Sequence, residues 1–154
     1  MLLERGANAN AEDKDGSTPL HLASSSSPSY YESRETETVS LLLDRGTNVD
    51  AKNKDGRTPL HIASSSGSAE IVRLLLDRDA NSNAEDNDGL TPFHLASTNS
   101  ETEIVSLLIA HGASVEVKNK EGRASLQVAS REGEREIVEM LTEHGAQVDS
   151  DSQV

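Results

Sequence analysis

The sequence predicts an all-α solenoid of stacked helix-turn-helix units, because two short patterns recur in the same order along its 154 residues. The first pattern reads DGSTPLHLAS, DGRTPLHIAS, DGLTPFHLAS and EGRASLQVAS, and it starts at Asp15, Asp55, Asp88 and Glu121. The second reads TVSLLLDRG, IVRLLLDRD, IVSLLIAHG and IVEMLTEHG, and it ends at Gly46, Asp79, Gly112 and Gly145. These ends are 33 residues apart throughout, so the first unit holds seven extra residues between its two patterns.

The first pattern of each unit predicts a short helix with a defined start. In the second unit, Thr58 is a good N-cap, and Pro59 suits the first helical position, where its missing amide hydrogen costs nothing. Gly67 can end this helix. The fourth unit has Ala124 and Ser125 in place of the Thr-Pro pair, so its helix start is weaker.

The second pattern predicts a helix with a broad apolar face. In SAEIVRLLLDR the apolar residues at helical spacing are Ile71, Val72, Leu74, Leu75 and Leu76. A glycine follows this helix in three of the four units and can adopt the left-handed conformation that ends a helix. Asp79 holds that place in the second unit, where a left-handed conformation would cost it on the order of 1 kcal/mol relative to glycine.

Stacking makes such units stable, since neither helix is long enough to be stable alone in water. Neighbouring units are expected to bury the leucine rows of the second helices with one large residue from each first helix: Leu20, Leu60, Phe93 and Leu126. The predicted core is long, thin and aliphatic, which explains an aromatic content of only 2%. The repeat outweighs a composition, 34% apolar with a net charge of −13, that would otherwise favour disorder.

The segments that join the units predict turns, and the whole pattern resembles a known family. ANSNAEDNDG and its equivalents are rich in Asn, Asp and Gly, and Asp13 and Asp86 are expected to close Asx-type turns. With its 33-residue period and the segments DGRTPLHIA, IVRLLLDR and GASVEVKNKEG, the chain resembles the ankyrin-repeat family. The resemblance implies a solenoid with hairpin-like tips. It predicts one domain, 1–154, made of a partial repeat at 1–12, repeat 1 at 13–52, repeat 2 at 53–85, repeat 3 at 86–118 and a degenerate capping repeat 4 at 119–151.

Both ends of the chain depart from the regular repeat. The chain starts within the last turn of a second helix, so we expect it to be a segment of a longer array. The incompletely covered first unit offers a surface for association between chains that are otherwise expected to be monomeric. Repeat 4 lacks the histidine as well as the Thr-Pro pair and is rich in glutamate. This is compatible with a C-terminal cap and with simple drift, and the sequence leaves both open.

Composition excludes several classes of function. The chain has no cysteine, so disulfides, thiolate metal sites and a cysteine nucleophile are excluded. No apolar run approaches the roughly 20 residues that a membrane helix needs, and the first residues lack the apolar core of a secretory signal. A net charge of −13 repels phosphate backbones and anionic lipids. We therefore expect a soluble intracellular protein, cytoplasmic or nuclear, whose partner is another protein and neither nucleic acid nor a membrane.

The histidines are not expected to form a metal or catalytic site. His21, His61 and His94 occupy equivalent places in successive units, roughly 10 Å apart if each layer is a pair of packed helices, whereas zinc holds its ligands within about 2 Å. The resemblance implies instead that each histidine bonds locally and to the turn of a neighbouring unit. No glycine-rich phosphate loop is present, and DNDG lacks the later glutamate of a calcium loop. We expect no enzymatic activity, no cofactor and no metal.

The resemblance implies that a partner binds on a concave face formed by the turn tips and the first helices. The residues predicted to contact it there are Lys14, Asp15, Lys52, Lys54, Arg57, Asn87, Leu90, Asn99, Lys120, Arg123 and Arg131. The net charge of −13 favours a partner with a basic or neutral surface. Tip and first-helix positions, however, gather eight of the 14 Lys and Arg residues, so a partner surface with acidic or mixed side chains stays open as well. Leu90 is expected to be exposed and to be the best single contact inside a polar rim, although a lone surface leucine needs no such role.

The extra residues of repeat 1 are a second candidate contact. They fall within SSPSYYESRETE and include both tyrosines of the chain, Tyr30 and Tyr31. Tyrosine brings the amphipathic area that is enriched at binding hot spots, so both are predicted to contact a partner. The sequence leaves open an inert loop, since extra loop length costs little entropy, and a phosphorylation segment at the Ser-Pro pair.

The leading hypothesis from the sequence is a non-enzymatic protein-protein interaction module. The alternative is the recognition or regulatory arm of a larger multidomain protein whose enzymatic or signalling domain lies outside these residues.

Overall fold

A computed structural model describes residues 6–25, 32–124 and 135–143 of the chain. These ranges contain seven helices: α1 (Pro19–Ala23), α2 (Glu32–Asp44), α3 (Pro59–Ser66), α4 (Ala69–Leu76), α5 (Pro92–Thr98), α6 (Thr102–Ala110) and α7 (Arg135–Glu143). Extended pairing within these ranges is limited to one antiparallel bridge between Lys118 and Ala124. The all-α prediction is therefore confirmed. In the described part of the chain no helix is long and apolar enough to cross a membrane.

The helices form two rows. The first helices α1, α3 and α5 pack side by side, and the second helices α2, α4, α6 and α7 pack side by side against one another. Within each of repeats 1 to 3, the first helix also packs on the second helix that follows it. Each unit is therefore stabilised by its own hairpin and its immediate neighbours, as in a solenoid.

Each first helix begins with the same cap. Thr58 has the extended backbone of an N-cap (φ −90°, ψ 166°), and Pro59 is the first helical residue. The Thr58 amide donates to Nδ1 of His61 over 3.1 Å, and Oγ1 of Thr58 lies 2.9 Å from the same nitrogen. Repeats 1 and 3 place the equivalent Thr-His pairs at nearly the same distances. The predicted Thr-Pro helix start is confirmed, and the histidine completes it.

Left-handed residues end the helices where the repeat predicts them. Gly67 ends α3 with φ 82°, and Asp79 follows α4 with φ 61°. The left-handed conformation expected at Asp79 is therefore confirmed. Ser100 is a second non-glycine residue in this conformation, with φ 63°. It lies 33 residues after Gly67, so the repeat itself contained the signal for this strained position, although no glycine marks it.

The core is aliphatic and runs through both rows of helices. Leu20, Leu60 and Phe93 of the first helices are fully buried, as predicted. Leucine, isoleucine and valine side chains of the second helices pack against them in one continuous cluster. Leu126, the fourth residue predicted for this core, lies outside the described residues.

A row of side-chain hydrogen bonds ties the loops that follow the second helices. Oδ1 of Asn10 accepts the amide of Asn48 over 2.9 Å. In the next layers Oδ1 of Asp50 accepts the amide of Asn81 over 3.0 Å, and Oδ1 of Asn83 accepts the amide of Ser114 over 2.7 Å. The hydrogen bond recurs in these three layers because the partial repeat and repeats 1 and 2 each place an Asn or Asp at the same point of the loop.

We predict that Asp79→Gly raises the free energy of unfolding by about 1 kcal/mol, because glycine adopts a positive φ without the steric cost that a Cβ brings. Urea denaturation of the two proteins measures the difference. Asp77→Gly is the matched control, since Asp77 has a right-handed backbone (φ −64°) two residues earlier and its replacement should lower stability. A lower unfolding midpoint for Asp79→Gly would contradict the prediction.

Candidate functional site

The turns that precede the first helices form a row of similar tips along one edge of the stack. We define tip 1 as residues 12–17, tip 2 as 52–57, tip 3 as 85–90 and tip 4 as 118–123, and together they are the tip row. In tip 3 the Asp86 amide donates to the Leu90 carbonyl over 2.9 Å, and Oδ1 of Asp86 accepts the amides of Asp88 and Leu90. Asp13 does the same in tip 1. The predicted Asx turns at Asp13 and Asp86 are confirmed.

Neighbouring tips are bonded to each other through their backbones. The Lys54 amide donates to the Asp15 carbonyl over 3.0 Å, and the Asn87 amide donates to the Asp55 carbonyl over 2.9 Å. The equivalent bond joins tips 3 and 4. Gly56 illustrates how closely the tips approach: it has φ 75°, and a Cβ built on it would lie only 2.9 Å from the Asn87 amide nitrogen. The backbone of the tip row is therefore tightly constrained.

The histidines hold tips 2, 3 and 4 to the first helix of the preceding repeat. Nε2 of His21 donates to the Arg57 carbonyl over 2.9 Å, and Nε2 of His61 donates to the Leu90 carbonyl over 3.0 Å. His94 completes the series at tip 4 with a bond of 3.2 Å to the Arg123 carbonyl. The structural role that the resemblance implied is confirmed. No group of three side chains suited to a metal ion occurs in the ranges that the structure describes.

Burial makes the two inner histidines difficult to protonate. Desolvation lowers the pKa of His61 and of His94 below the ordinary value of 6.5, although their carbonyl partners oppose the shift. Nδ1 of each ring already accepts an amide hydrogen from the capping threonine. A proton on that nitrogen would face this N–H, so both rings are held in the neutral form with the proton on Nε2.

Arg57 is part of the stack as well as of its surface. Its Nε donates to Oδ2 of Asp86 over 3.2 Å, and the Asp86 side chain is only 1% exposed. Together with the two amides on Oδ1, this bond gives both oxygens of a buried carboxylate a partner. Arg123 occupies the equivalent place in tip 4. It pairs with Glu121 within its own tip, while its Nε is buried and has no hydrogen-bond partner among the described residues.

Every lysine of the chain lies in the tip row, and all five are exposed: Lys14, Lys52, Lys54, Lys118 and Lys120. Two of them bridge neighbouring tips. Nζ of Lys52 donates to the Glu85 carbonyl over 2.8 Å, and Nζ of Lys54 donates to the Lys14 carbonyl. The formal charges of tips 1 to 4 are −2, +2, −3 and +2. Basic and acidic tips therefore alternate along a row that is nearly neutral in a strongly acidic protein.

The expectation that Leu90 is an exposed tip residue is wrong. Leu90 is half-buried, because it lies at the junction of tips 3 and 4 and lines a cavity of about 190 Å³ there with residues of both tips. The exposed large apolar residue among those described is Leu22, at 59%. It belongs to an apolar patch formed by Pro19 and Ala23 of repeat 1 and Ala7 of the partial repeat. Ile62 and Leu95 occupy the same repeat position and are half-buried, so its exposure could not be read from the repeat alone.

Of the six other predicted contact residues, three are described and exposed, and three lie outside the described residues. Asn87 and Asn99 are exposed, but each amide donates to the backbone of the unit before it, at Lys54 and at Ser65, over 2.8 Å. Asp15 is exposed at tip 1, and its carbonyl bonds tip 2. Three predicted contacts lie outside the described residues: Tyr30, Tyr31 and Arg131.

The comparison with protein families agrees with this geometry. The sequence model of ankyrin repeats, which spans three copies, matches residues 1–86 and again residues 79–152. No curated protein matches the chain.

We predict that His61 and His94 make stability depend on pH. Their folded pKa values lie below the unfolded value of 6.5, so their contribution is complete above about pH 6.5 and is lost as the pH falls below it. The free energy of unfolding from urea denaturation should therefore fall between about pH 7.5 and about pH 5.5, by up to about 1.4 kcal/mol per histidine for each pH unit. The control is the His61→Gln, His94→Gln double variant, which uses the residue that repeat 4 has at Gln127. An equal fall in both proteins would contradict the prediction.

We also predict that Arg57→Ala lowers the free energy of unfolding by about 1–3 kcal/mol, because it leaves a buried carboxylate without its cationic donor. Asp86→Asn on the Arg57→Ala background should restore most of the loss. Asn53 and Asn119 hold the same place in tips 2 and 4 and accept the same amides without a charge. Urea denaturation of the wild type, both single variants and the double variant measures the coupling. A double variant no more stable than Arg57→Ala would refute this role.

Proposed function

Because the chain belongs to the ankyrin-repeat family, whose repeats are protein-protein interaction modules, we propose that it binds a protein partner along the tip row and the adjoining first helices. The observation that supports this surface is the contrast between a constant backbone and variable side chains. Each tip uses an Asx turn and a glycine with positive φ in the same geometry, and tips 1 to 3 are each followed by a Thr cap, so these parts serve the fold.

The exposed positions between those constant ones differ from tip to tip. The residue before the Asx position is Glu12, Lys52, Glu85 or Lys118, and the residue after it is Lys14, Lys54, Asn87 or Lys120. All eight are exposed on a backbone that neighbouring tips hold in place. A preordered surface binds with a smaller entropic loss than one that must be ordered on binding. The tip row therefore has the properties of a recognition surface.

The described residues favour binding over catalysis. The three histidines of the first helices each use Nδ1 in the cap and Nε2 on the next tip. A general base needs a free nitrogen within reach of a substrate proton, so these rings are poorly placed for that role. The buried carboxylate of Asp86 is likewise occupied by Arg57 and two amides.

A single chain supplies the whole of the proposed surface, since tips 1 to 4 belong to consecutive units. We therefore propose that a monomer is the binding unit. The same surface would serve equally if these residues were the recognition arm of a larger protein.

Affinity capture from an extract of the source cell tests the surface. We predict that at least one protein retained by the wild type is lost by the triple variant Lys54→Glu, Leu90→Ser, Lys120→Glu. Arg57 is left unchanged because Asp86 depends on it. The control is Arg34→Glu, Arg45→Glu, which reverses the same number of charges at two exposed arginines on and just after α2.

The two variants separate specific loss from a general charge effect. Retention of the captured protein by the control and its loss from the tip variant supports the tip row. Equal capture of every protein by all three chains would refute the proposed surface. Circular dichroism and urea denaturation of the three chains confirm that each one is folded before capture.

A further inference from the structure

The alternation of charge along the tip row restricts the chemistry of its partner. Tips 2 and 4 each carry two lysines, one arginine and one acidic residue, whereas tip 3 between them carries three acidic residues and no basic one. Asp86 of tip 3 is buried and paired with Arg57, so Glu85 and Asp88 are the exposed anions there. A uniformly acidic segment would be attracted at tips 2 and 4 but repelled at tip 3.

The cations of tips 2 and 4 retain the capacity to bind a carboxylate. Each lysine ammonium has three donors, and the bridging bonds of Lys52 and Lys54 use one apiece. Among the described residues no hydrogen bond involves the ammonium of Lys118 or Lys120. Tip 4 therefore offers more unused donors than tip 2.

Leu90 separates these two basic tips. It lines the cavity between tips 3 and 4 together with Asp88, Asn119, Lys120, Glu121 and Arg123. The cavity of about 190 Å³ is large enough for an aliphatic side chain, and Leu90 is its apolar residue. An apolar group that enters it contacts Leu90, and the charged side chains of both tips form a polar rim around that contact.

The spacing of the layers predicts how far apart the acidic residues of a bound peptide lie. Packed helices lie about 10 Å apart, so tips 2 and 4 are separated by about 20 Å. An extended chain advances about 3.3 Å per residue, so two of its side chains that reach both tips are about six residues apart. The residue midway between them falls near tip 3.

We propose that the partner contributes an extended segment with two acidic residues about six positions apart and an apolar residue midway between them. This inference rests on the proposed function of the tip row and adds the chemistry of the segment it binds. The acidic residues contact the lysines of tips 2 and 4, and the apolar side chain contacts Leu90. Closer spacing would bring the acidic groups to Glu85 and Asp88, which repel them.

Two synthetic peptides of identical composition test the spacing. The fluorescein-labelled peptide SESSLSSES has its two glutamates six positions apart, and SSSELESSS has them on either side of the leucine. Fluorescence anisotropy at low salt, with the whole chain titrated to millimolar concentration, measures both affinities. We predict that the spaced peptide binds at least about three-fold more tightly, because electrostatic attraction and repulsion at this range are strong at low ionic strength.

Variants locate the effect on the tip row. Lys54→Glu, Lys120→Glu should abolish the preference for the spaced peptide, and Arg34→Glu, Arg45→Glu should leave it intact. Leu90→Ser, which introduces the residue that tip 1 has at Ser17, should weaken binding of SESSLSSES. It should have little effect on SESSSSSES, in which the leucine is already absent.

The outcomes distinguish this inference from the proposed function. Equal affinity for the two isomers, tighter binding of the lysine analogue SKSSLSSKS, or no binding of the spaced peptide at millimolar protein would overturn it. If the isomers bind equally while the triple tip variant still loses its captured protein, the proposed binding surface is retained, and the inferred chemistry of its partner is wrong. If the spaced peptide is preferred but no captured protein depends on the tip row, the inferred peptide chemistry remains and the proposed function fails.

Discussion

The bond from a first-helix histidine to the carbonyl of the next tip is the constraint on which the rest of the structure depends. Each ring makes two bonds: Nδ1 completes the cap of its own helix, and Nε2 donates to the turn that starts the following unit. The position of tip 3 is thus set by His61 of repeat 2, and that of tip 4 by His94 of repeat 3. Because the rings are buried, these bonds are shielded from competing water, and a helix start and a neighbouring turn are formed together.

This arrangement separates the residues that build the tips from those that face solvent. Backbone bonds, Asx side chains and the histidine ring satisfy the polar groups of each turn, so the residues beside them can vary without loss of the fold. The exposed tip positions differ in composition from the rest of the surface. All the lysines of the chain lie in the tip row, while the protein as a whole carries a net charge of −13. Even there some side chains stabilise the stack, as Arg57 does on Asp86, so exposure alone does not identify a contact residue.

The sequence predicted the features that depend on position within one repeat. The Thr-Pro caps, the Asx turns and the left-handed residue at Asp79 follow from local chemistry repeated in register, and the structure has all of them. The features that depend on two neighbouring units were harder to predict. Leu90 was expected to be exposed because its own turn is exposed, but tip 4 partly covers it. Arg57 was predicted to contact a partner, and its bond to Asp86 was not foreseen, because Asp86 lies 29 residues away and is itself a turn residue.

The direction of the histidine bond also determines which tips can serve as a fixed binding surface. Each ring bonds the tip of the following unit, so tip 4 is held by His94 even though its own unit has Gln127 at the equivalent position and lacks the Thr-Pro pair. Tip 1 has its own Asx turn, and amide hydrogens from Ser17 and Asp15 lower the pKa of Asp13, but within the described residues no histidine precedes it. Within the described residues, tips 2, 3 and 4 are therefore the tips that accept a hydrogen bond from a buried histidine of the preceding unit. These three tips include both basic tips and Leu90. The part of the tip row that buried histidines hold in place therefore also carries its distinctive charge pattern.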